Sequence, residues 1–278
     1  MAGPGLACGG SIDVLAYRVT PQDGAVIAAL EDVVADRPAA VGIVRSGEGA
    51  GRVVALDVVA HPAHATAHPT RDLLVLTHTP RPRLVVLGAG EHAVALCRLA
   101  AAAGFAVTVG DASALMATRE RFPDADRVVV GEGVDVLAAL PSHALGPRTA
   151  VCVLTHDVRV DVPALAAALA LPVGFVGAMG SRSTVARRAR LLREAGVDES
   201  ALARLRSPIG LDLGGTSELE TALSILAEIV AVRHTASARP LSRTAGRLHG
   251  APPSPTAVTP ASHPASHPAC TTTNGAVA

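Results

Sequence analysis

The sequence is nearly devoid of aromatic residues and contains no lysine. One Tyr, three Phe and no Trp occur in 278 residues, and every basic residue is Arg. The core must therefore be built from Ala, Val, Leu and Ile, which is typical of buried parallel strands covered by helices. A nucleic-acid surface built on aromatic stacking is disfavoured. Without lysine, Schiff-base chemistry and a Walker-type phosphate lysine are excluded.

The sequence also has no net charge, few cysteines and no long apolar run. The formal net charge is zero, so nothing indicates a nucleic-acid or membrane partner. The four cysteines are spread widely without a C-x-x-C pair, which predicts neither a disulfide framework nor a metal site. No leader of the secretory type opens the sequence, and no apolar run reaches the ~20 residues of a membrane span. We therefore expect a cytoplasmic protein.

Composition separates three zones. Residues 1–80 hold short β-like runs, a helical pattern and a Pro/His linker, which predicts a small α+β domain. Residues 81–234 form the second zone. Residues 235–278 are rich in Pro, Ala, Ser, Thr and His and predict a disordered tail. The elements predicted in the first zone are strands at Ile12–Val19, Ala40–Val44, Val53–Val59 and Leu73–Leu76, and a helix at Gly24–Val34.

The second zone alternates short apolar runs with helical patterns, which is typical of βαβ units in a parallel sheet. It predicts an α/β fold, a Rossmann-like parallel sheet flanked by helices. The predicted strands are Leu84–Leu87, Ala106–Val109, Arg127–Val130, Ala150–Leu154 and Val173–Val176. The predicted helices begin near Glu91, Val134 and Val162, and two longer ones cover Ser181–Ala195 and Ser217–Arg233.

A glycine turn follows the first strand of this zone. Gly88, Gly90 and Ala93 give the G-x-G-x-x-G/A arrangement, in which the turn is tight, a ligand phosphate reaches the backbone, and the helix packs closely on the sheet. Asp111 follows the second strand, where dinucleotide-binding proteins keep an acid for a ribose hydroxyl. The alternative is that the glycines serve helix–strand packing only. The pattern alone does not distinguish a cofactor-binding turn from a packing turn, and we carry the cofactor-binding site forward as the prediction.

Two further polar clusters follow strands of the same zone. His156 and Asp157 come after the fourth strand, and Gly180, Ser181 and Arg182 join the fifth strand to a helix. In open parallel sheets the loops at the carboxyl ends of strands line the ligand crevice. The alternatives are a hydrogen-bonded His with a capping Asp, and an ordinary capped turn with an exposed Arg. The glycine turn and these two clusters all follow strands at the same edge of the predicted sheet, and this shared position favours a ligand site.

The cysteines divide into two kinds. Cys8 is followed by Gly9 and Gly10, and this accessible setting suits a soft-metal or sulfur-handling role, although a lone cysteine is more often inert. Cys97 and Cys152 lie in apolar patterns and are predicted to be core residues.

Taken together, the sequence resembles the XdhC/CoxI family. The matching segments occur in the family's order: Cys8–Leu15, Leu84–Ala93, Ala117–Asp126, Leu154–Asp157, Gly180–Arg182, Pro208–Gly214 and Ser224–Ile229. The resemblance implies an N-terminal domain paired with a C-terminal Rossmann domain. It also implies an accessory protein without catalytic residues of its own, which binds the molybdenum cofactor (molybdopterin) as cargo, supports its sulfuration and delivers it to xanthine-dehydrogenase-type molybdenum hydroxylases.

The resemblance further implies a homodimer, a cysteine desulfurase as a second partner, and Cys8 as the cysteine of the family's Cys-Gly-Gly motif. Relatives carry a further segment before that motif, so we expect a partial first domain with an exposed sheet edge. Relatives also tend to have an arginine two residues after the position of Asp111, where this chain has Ser113. An NAD(P)-dependent oxidoreductase is the alternative, although no Tyr-x-x-x-Lys pair is present. A regulatory relative that binds no cofactor is a third hypothesis.

Overall fold

A computed structural model describes residues 19–47, 50–56, 66–67, 73–141 and 145–245. The chain divides into two compact units, with the boundary between Pro80 and Arg81. The predicted strand at Ile12–Val19 and the residues Cys8, Gly9 and Gly10 lie outside the described residues, apart from Val19 itself. The described part of the predicted tail ends at Ala245 and includes a short 3-10 helix at Leu241–Arg243.

The first unit is a small α+β arrangement. Its elements are α1 (Gly24–Val34), β1 (Ala39–Val44), β2 (Val53–Ala55), β3 (Thr66–Ala67) and β4 (Leu73–His78). The strands form one antiparallel sheet in the order β2-β1-β4-β3. Gly42 of β1 lies against Leu73, because a Cβ at this glycine would be 2.7 Å from the Leu73 side chain. The predicted helix is confirmed at both ends, and β4 runs two residues further than predicted.

The second unit is a Rossmann-type domain, as predicted. Its six strands are all parallel and have the order β10-β9-β8-β5-β6-β7. Numbered by appearance in this sheet, the order is the 3-2-1-4-5-6 of dinucleotide-binding folds. The strands are β5 (Arg83–Leu87), β6 (Ala106–Asp111), β7 (Arg127–Val130), β8 (Thr149–Val153), β9 (Phe175–Ala178) and β10 (Leu205–Arg206). The helices are α2 (Glu91–Ala102), α3 (Gly133–Ala138), α4 (Val158–Ala170), α5 (Arg182–Glu194), α6 (Glu199–Leu202) and α7 (Glu218–Arg233).

Helices cover both faces of this sheet. Side chains alternate between faces along each strand, so Val86 packs with α2 and α7 whereas Val85 packs with α3, α4 and α5. Both valines are at most 2% exposed. The central strands β5, β6, β8 and β9 are therefore buried on both faces, which explains their nearly continuous apolar sequences, whereas the edge strands β7 and β10 are partly exposed.

Several boundaries differ from the prediction. Helix α4 begins at Val158 instead of near Val162, because Asp157 caps it. Strand β9 covers Phe175–Ala178 instead of Val173–Val176. The short elements α6 and β10 were not predicted, since neither is long enough to show a periodic pattern. No helix in the described part of the chain is long and apolar enough to cross a membrane.

Candidate functional site

The parallel sheet has a crevice where its strand order reverses. The chain leaves β5 toward β6 on one side and leaves β8 toward β9 on the other, so the loops after β5 and β8 diverge. A cavity of about 190 Å³ opens at this point. Of the predicted site residues, it brings together Gly88, Asp111, His156 and Asp157. Sequence reasoning missed the other wall, Gly131, Glu132 and Gly133, although these residues also directly follow a predicted strand.

The two glycines of the turn after β5 have different surroundings. Gly88 has a φ of +100°, and a Cβ there would be 2.5 Å from Cγ2 of Thr155. Packing therefore accounts for Gly88. Gly90 has a φ of −76°, which any residue can adopt, and a Cβ there would have no neighbour within 4 Å. Nothing in the described structure requires glycine at position 90, and the space beside it, at the start of α2, is open.

Asp111 holds the glycine turn in place. Its Oδ2 accepts a hydrogen bond of 2.8 Å from the Ala89 N–H, and its Oδ1 accepts one of 2.8 Å from the Ser113 N–H. The ribose contact predicted for this carboxylate stays a prediction. Ala93 is fully buried in the core between α2 and the sheet, where the prediction placed it for close packing.

Arg121 supports the same turn from outside the sequence motif. Its Nη1 donates to the Ala89 carbonyl oxygen at 2.5 Å, and its Nη2 donates to Glu91 at 2.6 Å. The guanidinium is therefore held beside the start of α2 as an ion pair with Glu91. No local pattern in the sequence identifies this contact, because Arg121 is 32 residues from Ala89.

Asp157 caps helix α4. Its Oδ1 accepts a hydrogen bond of 2.9 Å from the Arg159 N–H, and its Oδ2 accepts one of 2.6 Å from the Arg159 guanidinium. These hydrogen bonds, led by the one from the Arg159 side chain, lower the pKa of Asp157 to about 2. The capping interpretation is confirmed for Asp157. The same interpretation predicted a hydrogen-bonded His156, and this part is wrong. His156 is exposed and forms no hydrogen bond with any residue that the structure describes.

A second cavity, of about 650 Å³, adjoins the crevice through shared lining residues. His156 and Asp157 line both cavities. The other side of the second cavity comes from α5, which contributes Ser183, Thr184 and Arg187. The two cavities therefore adjoin at the start of α4, and the second is the more polar of the two.

The predicted cluster at the start of α5 is placed only partly as expected. Ser181 caps the helix, since its Oγ accepts from the Thr184 N–H at 3.3 Å. Gly180, Ser181 and Arg182 do not line either cavity. The helix instead presents residues of its first turns, Ser183, Thr184 and Arg187, which the sequence prediction missed.

A buried ion pair lies beneath this rim. Arg188 Nη2 is 2.5 Å from Asp161 Oδ2, and the two side chains are 1% and 0% exposed. Thr155 donates its hydroxyl hydrogen to Asp161. Arg188 also donates to the Met179 carbonyl oxygen at 2.9 Å and to Ser207 Oγ at 3.2 Å. The pair thus connects the loops that follow β8, β9 and β10.

The two cysteines of this unit are core residues, as predicted. Cys97 is 1% exposed and Cys152 is 0% exposed. Burial raises the pKa of Cys97 to about 11, and burial raises the pKa of Cys152 well above its usual range. Within the described ranges, no group of three or more His, Cys, Asp or Glu residues could hold a metal ion.

One family of known proteins matches the second unit. The family model described as the XdhC Rossmann domain matches residues 84–229. The uncharacterized protein YqeB of Escherichia coli K12 is 34% identical over 59% of this chain and 30% of its own length. A protein of Bacillus subtilis named as a probable subunit of xanthine dehydrogenase is 30% identical over 59% of this chain and 47% of its own. The molybdenum cofactor insertion chaperone PaoD of Escherichia coli K12 is 33% identical over 36% of this chain and 31% of its own.

A solved structure shares the fold. The crystal structure of a xanthine dehydrogenase from Bacillus halodurans matches with a TM-score of 0.57 and 22% identity, over 75% of this chain and 66% of that one. The chain spans less than half the length of each of the three curated relatives that it matches.

Proposed function

The chain belongs to the XdhC family, since the family's Rossmann domain matches more than half of it, and on this premise we propose that it handles the molybdenum cofactor. In this proposal the chain binds the cofactor as cargo, assists its sulfuration and delivers it to a xanthine-dehydrogenase-type molybdenum hydroxylase. Two relatives support the proposal by name. One is named as a probable subunit of xanthine dehydrogenase, and the other as a molybdenum cofactor insertion chaperone.

The observation that carries the location of the site is the open space at Gly90. A Cβ there meets no protein atom within 4 Å. The position caps a 12-residue helix, and the N–H groups of Glu91 and His92 have no carbonyl partner among the described residues. We place the phosphate end of the cofactor at this position, because backbone N–H groups and the helix dipole favour an anion.

The second cavity suits the polar part of the same ligand. A pterin ring carries hydrogen-bond donors and acceptors along its edge, and His156, Ser183 and Arg187 offer matching groups. The cavity and the crevice share His156 and Asp157. In this proposal one extended ligand contacts both, past His156 and Asp157.

Sulfur handling is assigned to the segment that contains Cys8. Cys97 and Cys152 are buried thiols with raised pKa values, and a thiol of this kind is a poor nucleophile. Cys8 lies outside the described residues, so its role rests on the sequence motif. The homodimer and the cysteine desulfurase partner stay predictions, as does NAD(P) binding.

Equilibrium binding of the cofactor tests the proposal. The purified chain is titrated with molybdenum cofactor, and bound pterin is measured by fluorescence after oxidation. Gly90→Val is expected to weaken binding by about tenfold or more, because its side chain fills the space of the phosphate. Gly146→Val is the matched control, since a Cβ at Gly146 also meets nothing within 4 Å and this glycine precedes β8 at the other end of the sheet.

Two results would contradict the proposal. The first is a wild-type chain that retains no pterin. The second is an equal loss in Gly90→Val and Gly146→Val. A parallel titration with NAD(P)H tests the alternative function, an NAD(P)-dependent oxidoreductase. That function would be favoured if the chain binds NAD(P)H but no pterin, and if Gly90→Val abolishes the NAD(P)H binding.

A further inference from the structure

A third cavity lies at the opposite end of the parallel sheet from the crevice. Its volume is about 390 Å³, within the range of small-molecule sites. It is formed where the chain enters β8, β9 and β10 and where α7 ends. Its apolar floor includes Val173, Phe175 and Val176, which are 6%, 5% and 1% exposed. Nothing in the proposed cofactor site uses this cavity.

Guanidinium groups surround this floor. Arg204 and Arg206 line the cavity itself. Arg148 and Arg233 line a narrow adjoining cavity, which shares part of the same wall: Pro147, Gly174, Phe175 and Val232. Among the described residues, no carboxylate forms an ion pair with any of these four arginines.

Several other arginines of the same unit form ion pairs with acids. Arg81 pairs with Asp126, Arg190 with Glu194 and Arg193 with Glu199. Around the third cavity the partners are different: Arg204 donates to the Leu171 carbonyl oxygen at 3.1 Å, and Arg233 lies 3.2 Å from His234 Nε2. Neither of these partners is a carboxylate, so no acidic side chain among the described residues compensates the positive charge of Arg204 or Arg233.

The surroundings of Arg233 disfavour its positive charge. Burial lowers the pKa of Arg233, and the like charge of Arg148 lowers it further. Its Nε is buried and has no hydrogen-bond partner among the described residues. Its guanidinium lies over the Phe105 ring at 5.0 Å from the centroid, a cation–π contact that favours the charged form. An anion in the neighbouring cavity would relieve the repulsion.

We propose that the third cavity binds a small organic anion, with its apolar body on the Val173–Val176 floor and its carboxylate or phosphate groups at Arg204 and Arg206. Guanidinium groups pair with both kinds of anion through two parallel hydrogen bonds. The concave shape favours a small molecule over an acidic protein segment, which would need a longer surface. The site is separate from the cofactor crevice and would bind its ligand independently.

Calorimetric titration with defined anions tests this proposal. The probes are citrate, AMP and inorganic phosphate, each at an ionic strength matched with NaCl. We expect citrate or AMP to bind with a Kd below about 1 mM, and the stronger of the two identifies the carboxylate or phosphate class. Arg204→Ala and Arg206→Ala are expected to weaken binding about tenfold. Both side chains are exposed, so thermal unfolding should confirm an intact fold.

Two control variants make the result specific. Arg190→Ala removes an exposed arginine elsewhere in the unit and should not change anion binding. Gly90→Val alters the start of α2, where a phosphate group is also expected to bind, so the AMP or phosphate binding that persists in Gly90→Val reports on the third cavity. Equal weakening by Arg190→Ala and Arg204→Ala, or anion binding that only Gly90→Val weakens, would overturn the proposal. Absence of binding by all three probes would overturn it as well. Binding of an acidic peptide such as hexaglutamate, without binding of the small anions, would replace it with a protein-docking surface.

Discussion

Two loops on the same rim of the sheet are built in different ways. The turn Gly88–Gly90 has one glycine packed against Thr155 and the other beside open space, and partly exposed side chains bond to the Ala89 backbone between them. The loop Thr155–Asp157 instead rests on a fully buried ion pair, that of Asp161 and Arg188 beneath it. In our proposal the open space at Gly90 is filled by the ligand, whereas the space beside Gly88 is already filled by Thr155.

The largest expected effect concerns the supporting ion pair. Arg188→Leu or Asp161→Leu leaves a buried charge without its partner and should lower the free energy of unfolding by about 3–5 kcal/mol. The double variant Asp161→Leu/Arg188→Leu should lose less than the sum of the two single variants, because no charge is left unpaired. Urea unfolding measures all three, with the exposed Arg190→Leu as the control. Additive losses would show that the pair does not act as a unit.

The next effect separates the two glycines of the turn. Gly88→Ala should cost about 1–3 kcal/mol, because the residue has a positive φ and its Cβ would collide with Thr155. Gly90→Ala should cost at most about 1 kcal/mol, the usual penalty for alanine at a helix N-cap. Thermal and urea unfolding of the two variants provide the measurement. Similar losses in both would remove the distinction between a packed and an open glycine.

The smallest effect concerns the charge of Asp157. Its pKa is lowered from 3.8 to about 2 by hydrogen bonds from Arg159, so the stability that it contributes is present above about pH 4 and is lost as the pH falls through about 2. In Arg159→Gln the carboxyl group should titrate closer to 3.8. NMR titration of the Asp157 side chain measures this pKa in the wild type and in Arg159→Gln. An unchanged titration in Arg159→Gln would show that the backbone N–H alone holds the charge.

Much of the second unit could be predicted from periodicity and turn chemistry. The glycine turn, the strands Arg127–Val130 and Arg83–Leu87 and the caps Asp157 and Ser181 all have local causes in the sequence. The parallel order of the sheet then places the ends of β5 and β8 side by side. Local patterns therefore predict the crevice.

Contacts between distant residues could not be predicted in the same way. Asp161 and Arg188 are 27 residues apart, and the sequence around each of them does not indicate that the two form a buried pair. The arginines of the third cavity come from separate segments and meet only because β8, β9 and β10 begin, and α7 ends, at the same edge. Such clusters depend on tertiary packing, which a single sequence does not reveal.

Amide hydrogen exchange of the chain, with and without molybdenum cofactor, tests the location of the site most directly. A cofactor bound at the crevice should slow exchange at Gly90–Ala93 and at His156–Arg159, and should leave Arg204–Ser207 unchanged. Bound cofactor without protection at either of the first two segments would contradict the proposed site.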